Sequence, residues 1–174
     1  MRLLFLFLVF WVLLIIQVSF ISNLPWPLSL APGILSAGVY WLQHRSKNAG
    51  AWLIILFGLY WQYLQISEVS APFFAFLAAA LIASWLSRQV FANRSFYGVL
   101  GTGLATLLAL RVIQGVILWM TNWRSVDDFP WRLFLVESGY QAIFMSVLLA
   151  IIYFSGFWVE RRFMPRETDA KMRL

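Results

Sequence analysis

The chain of 174 residues has no cysteine and one histidine. Lack of thiols excludes disulfides, thiolate nucleophiles and thiolate metal sites, and a lone imidazole rules out any multi-histidine centre. Charge is also scarce, since Asp, Glu, Lys and Arg make up only 11% of the residues. A water-soluble domain carries roughly a quarter, because its surface must hydrogen-bond water. No glycine-rich phosphate loop, nucleophile elbow or metal motif is present. These absences leave no reactive set, no expected cofactor and no nucleic-acid partner.

What remains is apolar: 62% hydrophobic and 18% aromatic residues, with a mean hydropathy of +0.80. Such a chain takes lipid as its main solvent, so the expected class is an all-α integral membrane protein. Stretches of about 18 apolar residues read as membrane-crossing helices. Residues 3–21, 28–42, 51–66, 71–86, 95–120 and 133–159 give six segments, of which the second, third and fourth have only 15 to 16 residues and are expected to recruit loop residues such as Trp26, Ser67 or Ser87 at their ends. The second is short and holds Pro32 and Gly33, so a five-span count with a re-entrant second segment is the alternative. The first reads as a retained helix, because no small-residue cleavage site follows it. The organisation is one six-helix transmembrane domain over 1–160 and a basic tail over 161–174.

Positive charge orients the helices, because cytoplasmic loops collect Lys and Arg. With the N-terminus inside, every basic residue except Arg111, Arg124 and Arg132 falls on the inner side. Both termini are therefore expected in the cytoplasm, with the tail drawn to anionic headgroups. Trp26, Trp41, Trp52, Trp85, Trp119, Trp123, Trp131 and Trp158 lie near segment ends, where amphipathic rings favour the interface.

Polar residues at membrane depth carry the functional signal. Gln17, Gln62, Gln65, Gln114 and Gln141 place amides where an unpaired one costs a few kcal/mol. They either bond helix to helix or line a cavity or docking surface, and Gln62 with Gln65 shares one helix face. Arg111 sits about 13 Å inside its helix and Glu137 about 6 Å inside the next antiparallel one. An ion pair between them is one reading; snorkelling of Arg111, or a helix ending near Leu110, is the other. Ala75, Ala79 and Ala83, and again Gly101, Ala105 and Ala109, form small-residue stripes that let backbones approach. His44 is expected to be a solvated loop residue. Asp127, Asp128 and Glu68 are expected to cap or stay solvated.

The order of features resembles the MreD family, the small six-span subunit of the bacterial rod-shape machinery. The resemblance rests on Leu13-Leu14-Ile15-Ile16-Gln17, a proline-led second segment and Gly58-Leu59-Tyr60-Trp61-Gln62. Two departures stand out: Gln62 takes the place of the family's acid, and Pro32-Gly33 stands where Pro-Asp is usual. The resemblance implies a fold similar to the S-components of energy-coupling-factor vitamin transporters. It also implies a non-enzymatic role in the bacterial inner membrane, binding the single-span MreC and supporting the RodA and penicillin-binding-protein synthase of lateral peptidoglycan. Gln17, Gln62 and Gln65 are then the candidate partner or pocket cluster, with Arg111 and Glu137 a second. The alternative function is a transporter S-component capturing a vitamin-like molecule in an outward-facing pocket lined by residues such as Trp61, Gln62 and Gln65. A membrane enzyme acting on lipid or peptide is the third reading, and the missing nucleophile and base argue against it.

Overall fold

The computed structural model describes residues 2–44, 47–64, 71–90, 95–121 and 131–163. Gln65, Glu68, Asp127, Asp128 and the tail from 164 onward lie outside the described residues. Among the described residues six α-helices follow one another: α1 (Arg2–Ile15), α2 (Gly33–His44), α3 (Lys47–Leu64), α4 (Ala71–Gln89), α5 (Phe96–Thr121) and α6 (Trp131–Phe163). Among the described residues there is no strand.

Each expected segment contains one helix, with boundaries moved for local reasons. α1 ends at Ile15 and continues as a π turn over Ile16–Phe20 and a 3-10 turn over Ile21–Asn23. Residues Leu28–Leu30 make a single 3-10 turn instead of opening α2. Pro32 lacks an N–H and holds Ala31 extended, at φ −63° and ψ 120°, so the helix can begin only at Gly33. At the other end α2 runs on through Gln43 and His44, which close its last turn and do not belong to a polar loop. Ser95 caps α5, its hydroxyl accepting from the Gly98 N–H at 3.2 Å.

α2 is the innermost helix. Its 12 residues rise about 18 Å, short of a roughly 30 Å hydrocarbon layer. All residues from Ile34 to Val39 are buried, and α2 touches each of the other five helices. A helix that is apolar all round has to be enclosed on every side. Ile34, Leu35, Val39 and Leu42 pack with Leu53 and Ile54 of α3, Val99 of α5, and Met145 and Leu149 of α6. Gly50 of α3 permits the closest approach, since a Cβ there would fall on the backbone N and Cα of Leu42.

The outside of the bundle is apolar. α5 over Phe96–Met120 and α6 over Trp131–Gly156 are long and apolar enough to cross a membrane, while Phe7–Asn23 and Phe73–Gln89 are shorter apolar stretches. Only 28% and 11% of the two long windows is buried, which distinguishes them from the core helix of a water-soluble protein. Leu108, Val112 and Val116 on α5, and Leu135, Ile143, Val147 and Ile151 on α6, point outward.

The two small-residue stripes fare differently. Ala75, Ala79 and Ala83 of α4 are fully buried, and α4 packs on α3 and α5. On α5 the expected Gly101, Ala105 and Ala109 are only half-buried. The enclosed face lies one position over, at Thr102, Gly103, Thr106, Leu107 and Leu110. Thr102 and Thr106 can be buried because each hydroxyl donates to the carbonyl four residues back, at 2.9 Å to Gly98 and 2.6 Å to Thr102. With the hydroxyl satisfied, threonine packs as a small apolar residue, and Gly103 leaves space for Leu149 and Met145 of α6.

Candidate functional site

A partly open cavity of about 420 Å³ lies between the π turn that follows α1, the 28–32 segment, the first turns of α2 and α4, the later halves of α3 and α5, and the early turns of α6. Its floor is apolar, built from Leu35, Phe57, Trp61, Phe76, Leu107 and Leu110. Its wall is polar, built from Gln17, Arg111, Gln114, Glu137 and Gln141.

Arg111 is the centre of that wall. Its Nε donates to Gln141 Oε1 at 2.8 Å, and its Nη1 to Gln114 Oε1 at a longer 3.4 Å. The guanidinium carbon lies 5.4 Å from the centre of the Phe134 ring, a cation–π distance. Glu137 Oε2 stands 4.0 Å from Nη2, so the carboxylate balances the charge at long range without hydrogen-bonding it. α5 continues unbroken to Thr121, which removes the reading in which it ends near Leu110. Neither does Arg111 snorkel away: an amide on the neighbouring helix holds it.

The reason is axial register. Phe96 meets Tyr153 and Gly103 meets Leu149, so α5 and α6 run antiparallel. Arg111 lies about 15 Å from the end of α5 and Gln141 about 15 Å from the start of α6, at 1.5 Å per residue. The two are therefore level, and Glu137 is one turn nearer the helix end.

Gln17 enters the cavity from the π turn. Its Nε2 donates to the Ala31 carbonyl at 3.1 Å, and its Oε1 accepts from the Gly33 N–H at 3.0 Å, a donor shared with the Ala31 carbonyl. The amide thus caps the first turn of α2 from a distant part of the chain, satisfying a helix-end N–H that has no partner within the helix. A Cβ on Gly33 would lie 2.7 Å from Gln17 Oε1. This accounts for glycine after Pro32, because any larger residue would displace the cap.

The structure brings Gln17 together with Arg111 and Glu137 and separates it from Gln62, which is half-buried and does not line the cavity. Gln65 lies outside the described residues. Gln141 shares the site because it lies level with Arg111, a relation visible only once helix register is known, and Gln114 joins as the i+3 neighbour of Arg111 on α5.

Two further polar residues sit at the opposite end of α2. Gln43 is buried and its Nε2 donates to Thr102 Oγ1 at 2.5 Å and to the Gly98 carbonyl at 3.1 Å, tying α2 to α5. His44 stacks on Tyr40 at 4.5 Å and meets the edge of Tyr153 at 5.6 Å. It is a packed helix residue and not a solvated loop one, because α2 extends through it. Among the described residues, no group of three or more His, Asp or Glu is placed to hold a metal ion.

Compared with known proteins, the chain matches no family model, no curated protein and no solved structure. The fold and site define an all-helical protein with an apolar exterior and a polar, charge-balanced cavity at one end of its bundle.

Proposed function

We propose that the protein is a multi-pass, non-catalytic subunit of the bacterial inner membrane, with six membrane helices in an S-component-like bundle and both termini cytoplasmic. Its role is that of an MreD-type member of the cell-shape machinery, binding a single-span MreC-like partner and supporting the RodA and penicillin-binding-protein synthase of lateral peptidoglycan. The observation that carries this reading is the outward-facing apolar surface of α5 and α6 beside a cavity wall in which the amides of Gln141 and Gln114 hold Arg111. Arginine and amides at that depth persist only when they serve packing or binding. The basic inner loops and tail support the orientation, and the resemblance in the first three segments supports the family role.

Co-expression with the single-span coiled-coil envelope protein of the same genome, followed by purification in mild detergent, tests the reading. A stable one-to-one complex is the expected result. Failure of that partner to associate, at protein concentrations where the subunit itself stays folded and monodisperse, overturns it.

The cavity favours a second reading, capture of a small molecule in the manner of a vitamin-transporter S-component. Of the residues that reading names, Trp61 lines the cavity and Gln62 does not, while Gln65 lies outside the described residues. A tightly held metabolite surviving purification, together with an ATPase-driven uptake defect on deletion, would decide for it.

A further inference from the structure

The cavity wall carries one cation and one anion that do not satisfy each other. Arg111 Nη2 and Glu137 Oε2 are 4.0 Å apart, too far for a hydrogen bond. Among the described residues, neither Nη2 nor the Glu137 carboxylate has a hydrogen-bond partner. Both groups remain partly accessible, at 16% and 30% of their side-chain surface, and both line the cavity. A guanidinium offers five donors in a planar fork, and here only Nε is fully engaged.

The charge balance selects the ligand. In a low-dielectric site a purely anionic guest would meet Glu137, and a purely cationic one would meet Arg111, each an uncompensated like charge. A guest with an anionic oxygen and an ammonium a few ångströms apart matches both groups and adds no net charge. Gln114, only loosely held at 3.4 Å, can turn its amide to the same oxygen. The apolar floor then receives a hydrocarbon or aromatic portion, and about 420 Å³ falls in the usual range for small-molecule sites.

We infer that this cavity binds a zwitterion with an apolar body, its anionic oxygen on the Arg111 fork, its ammonium on Glu137 and its body against Trp61 and Phe76. An aminoethyl-phosphate lipid headgroup and a free amino acid with an apolar side chain share this chemistry. The assignment rests on the cavity alone and holds whether or not a single-span partner binds elsewhere.

The test uses the full chain in detergent with three probes: dioleoylphosphatidylethanolamine, dioleoylphosphatidylglycerol and L-phenylalanine. Native mass spectrometry and thermal shift are read together. Phosphatidylethanolamine or L-phenylalanine is expected to bind and raise Tm, and phosphatidylglycerol to bind about tenfold more weakly, a difference of about 1.4 kcal/mol. Binding of the lipid alone assigns the headgroup as source, and binding of the amino acid alone assigns a soluble ligand. Glu137→Gln, which removes the charge at constant shape, is expected to lose about tenfold in affinity while remaining folded. Arg111→Gln tests the other half of the contact. Equal binding of phosphatidylglycerol, unchanged binding in Glu137→Gln, or binding of neither zwitterion overturns the inference; association with the single-span partner is scored separately.

Discussion

Arg111 and Gln141 face one another at the same depth of the antiparallel α5–α6 pair, the guanidinium Nε donating to the amide oxygen across 2.8 Å. Among the described residues the nearest carboxylate, Glu137, stands back at 4.0 Å. The amide supplies the hydrogen bond and the acid supplies the counter-charge.

Stability should therefore depend on Gln141 more than on the charge pair. Gln141→Leu is expected to cost about 1.5–3 kcal/mol, the usual worth of a hydrogen bond to a charged group, read as a lower Tm in detergent. Exchanging the charges as Arg111→Glu with Glu137→Arg is expected to leave the protein destabilised, because the exchanged arginine sits a turn away from Gln141. Full recovery of wild-type Tm in the exchange would show that the ion pair dominates.

The long-range cap on α2 predicts coupling between residues far apart in sequence. Gln17→Ala and Gly33→Ala should each cost about 1 kcal/mol, the size of a lost helix cap. Combined, they should cost less than the sum, since the closest clash of the added methyl is with the Gln17 amide and is relieved when that amide is absent, leaving only the contact with Ile21 Cδ1. Strict additivity in that double-mutant cycle would refute a shared contact.

The displaced stripe on α5 gives a packing test. Gly103→Leu drives a side chain into Leu149 and Met145, and overpacking of this kind costs about 1–3 kcal/mol. Ala105→Leu and Ala109→Leu, at half-buried positions, should be much milder. Equal damage at all three sites would mean that the enclosed face has been misidentified.

Orientation can be read directly because the chain has no cysteine. Asn23→Cys and Asn48→Cys place single thiols at exposed positions beyond the two ends of α2. In intact spheroplasts a membrane-impermeant maleimide should label the former, and the latter only after permeabilisation. The reverse pattern would invert the proposed topology.

Apolar runs and prolines in the sequence were enough to mark six helical segments, though not the bounds of α2, and scarcity of charge was enough to place apolar groups on the exterior. They also marked Gln17, Gln62, Gln65, Gln114, Gln141 and Arg111 as anomalous, with Glu137 as the candidate partner of the arginine, since each puts a polar group where lipid-compatible patterning excludes one. Tertiary structure alone decided that α2 is enclosed by the other helices, that the Gln17 amide caps α2 beside the arginine and apart from Gln62, and that threonines form the buried face of α5. The physical reason is that a run of residues specifies a helix and its apolar faces locally. Which face meets which depends on the axial shift and rotation of whole helices, and those are settled by packing around such contacts as Gly50 on Leu42.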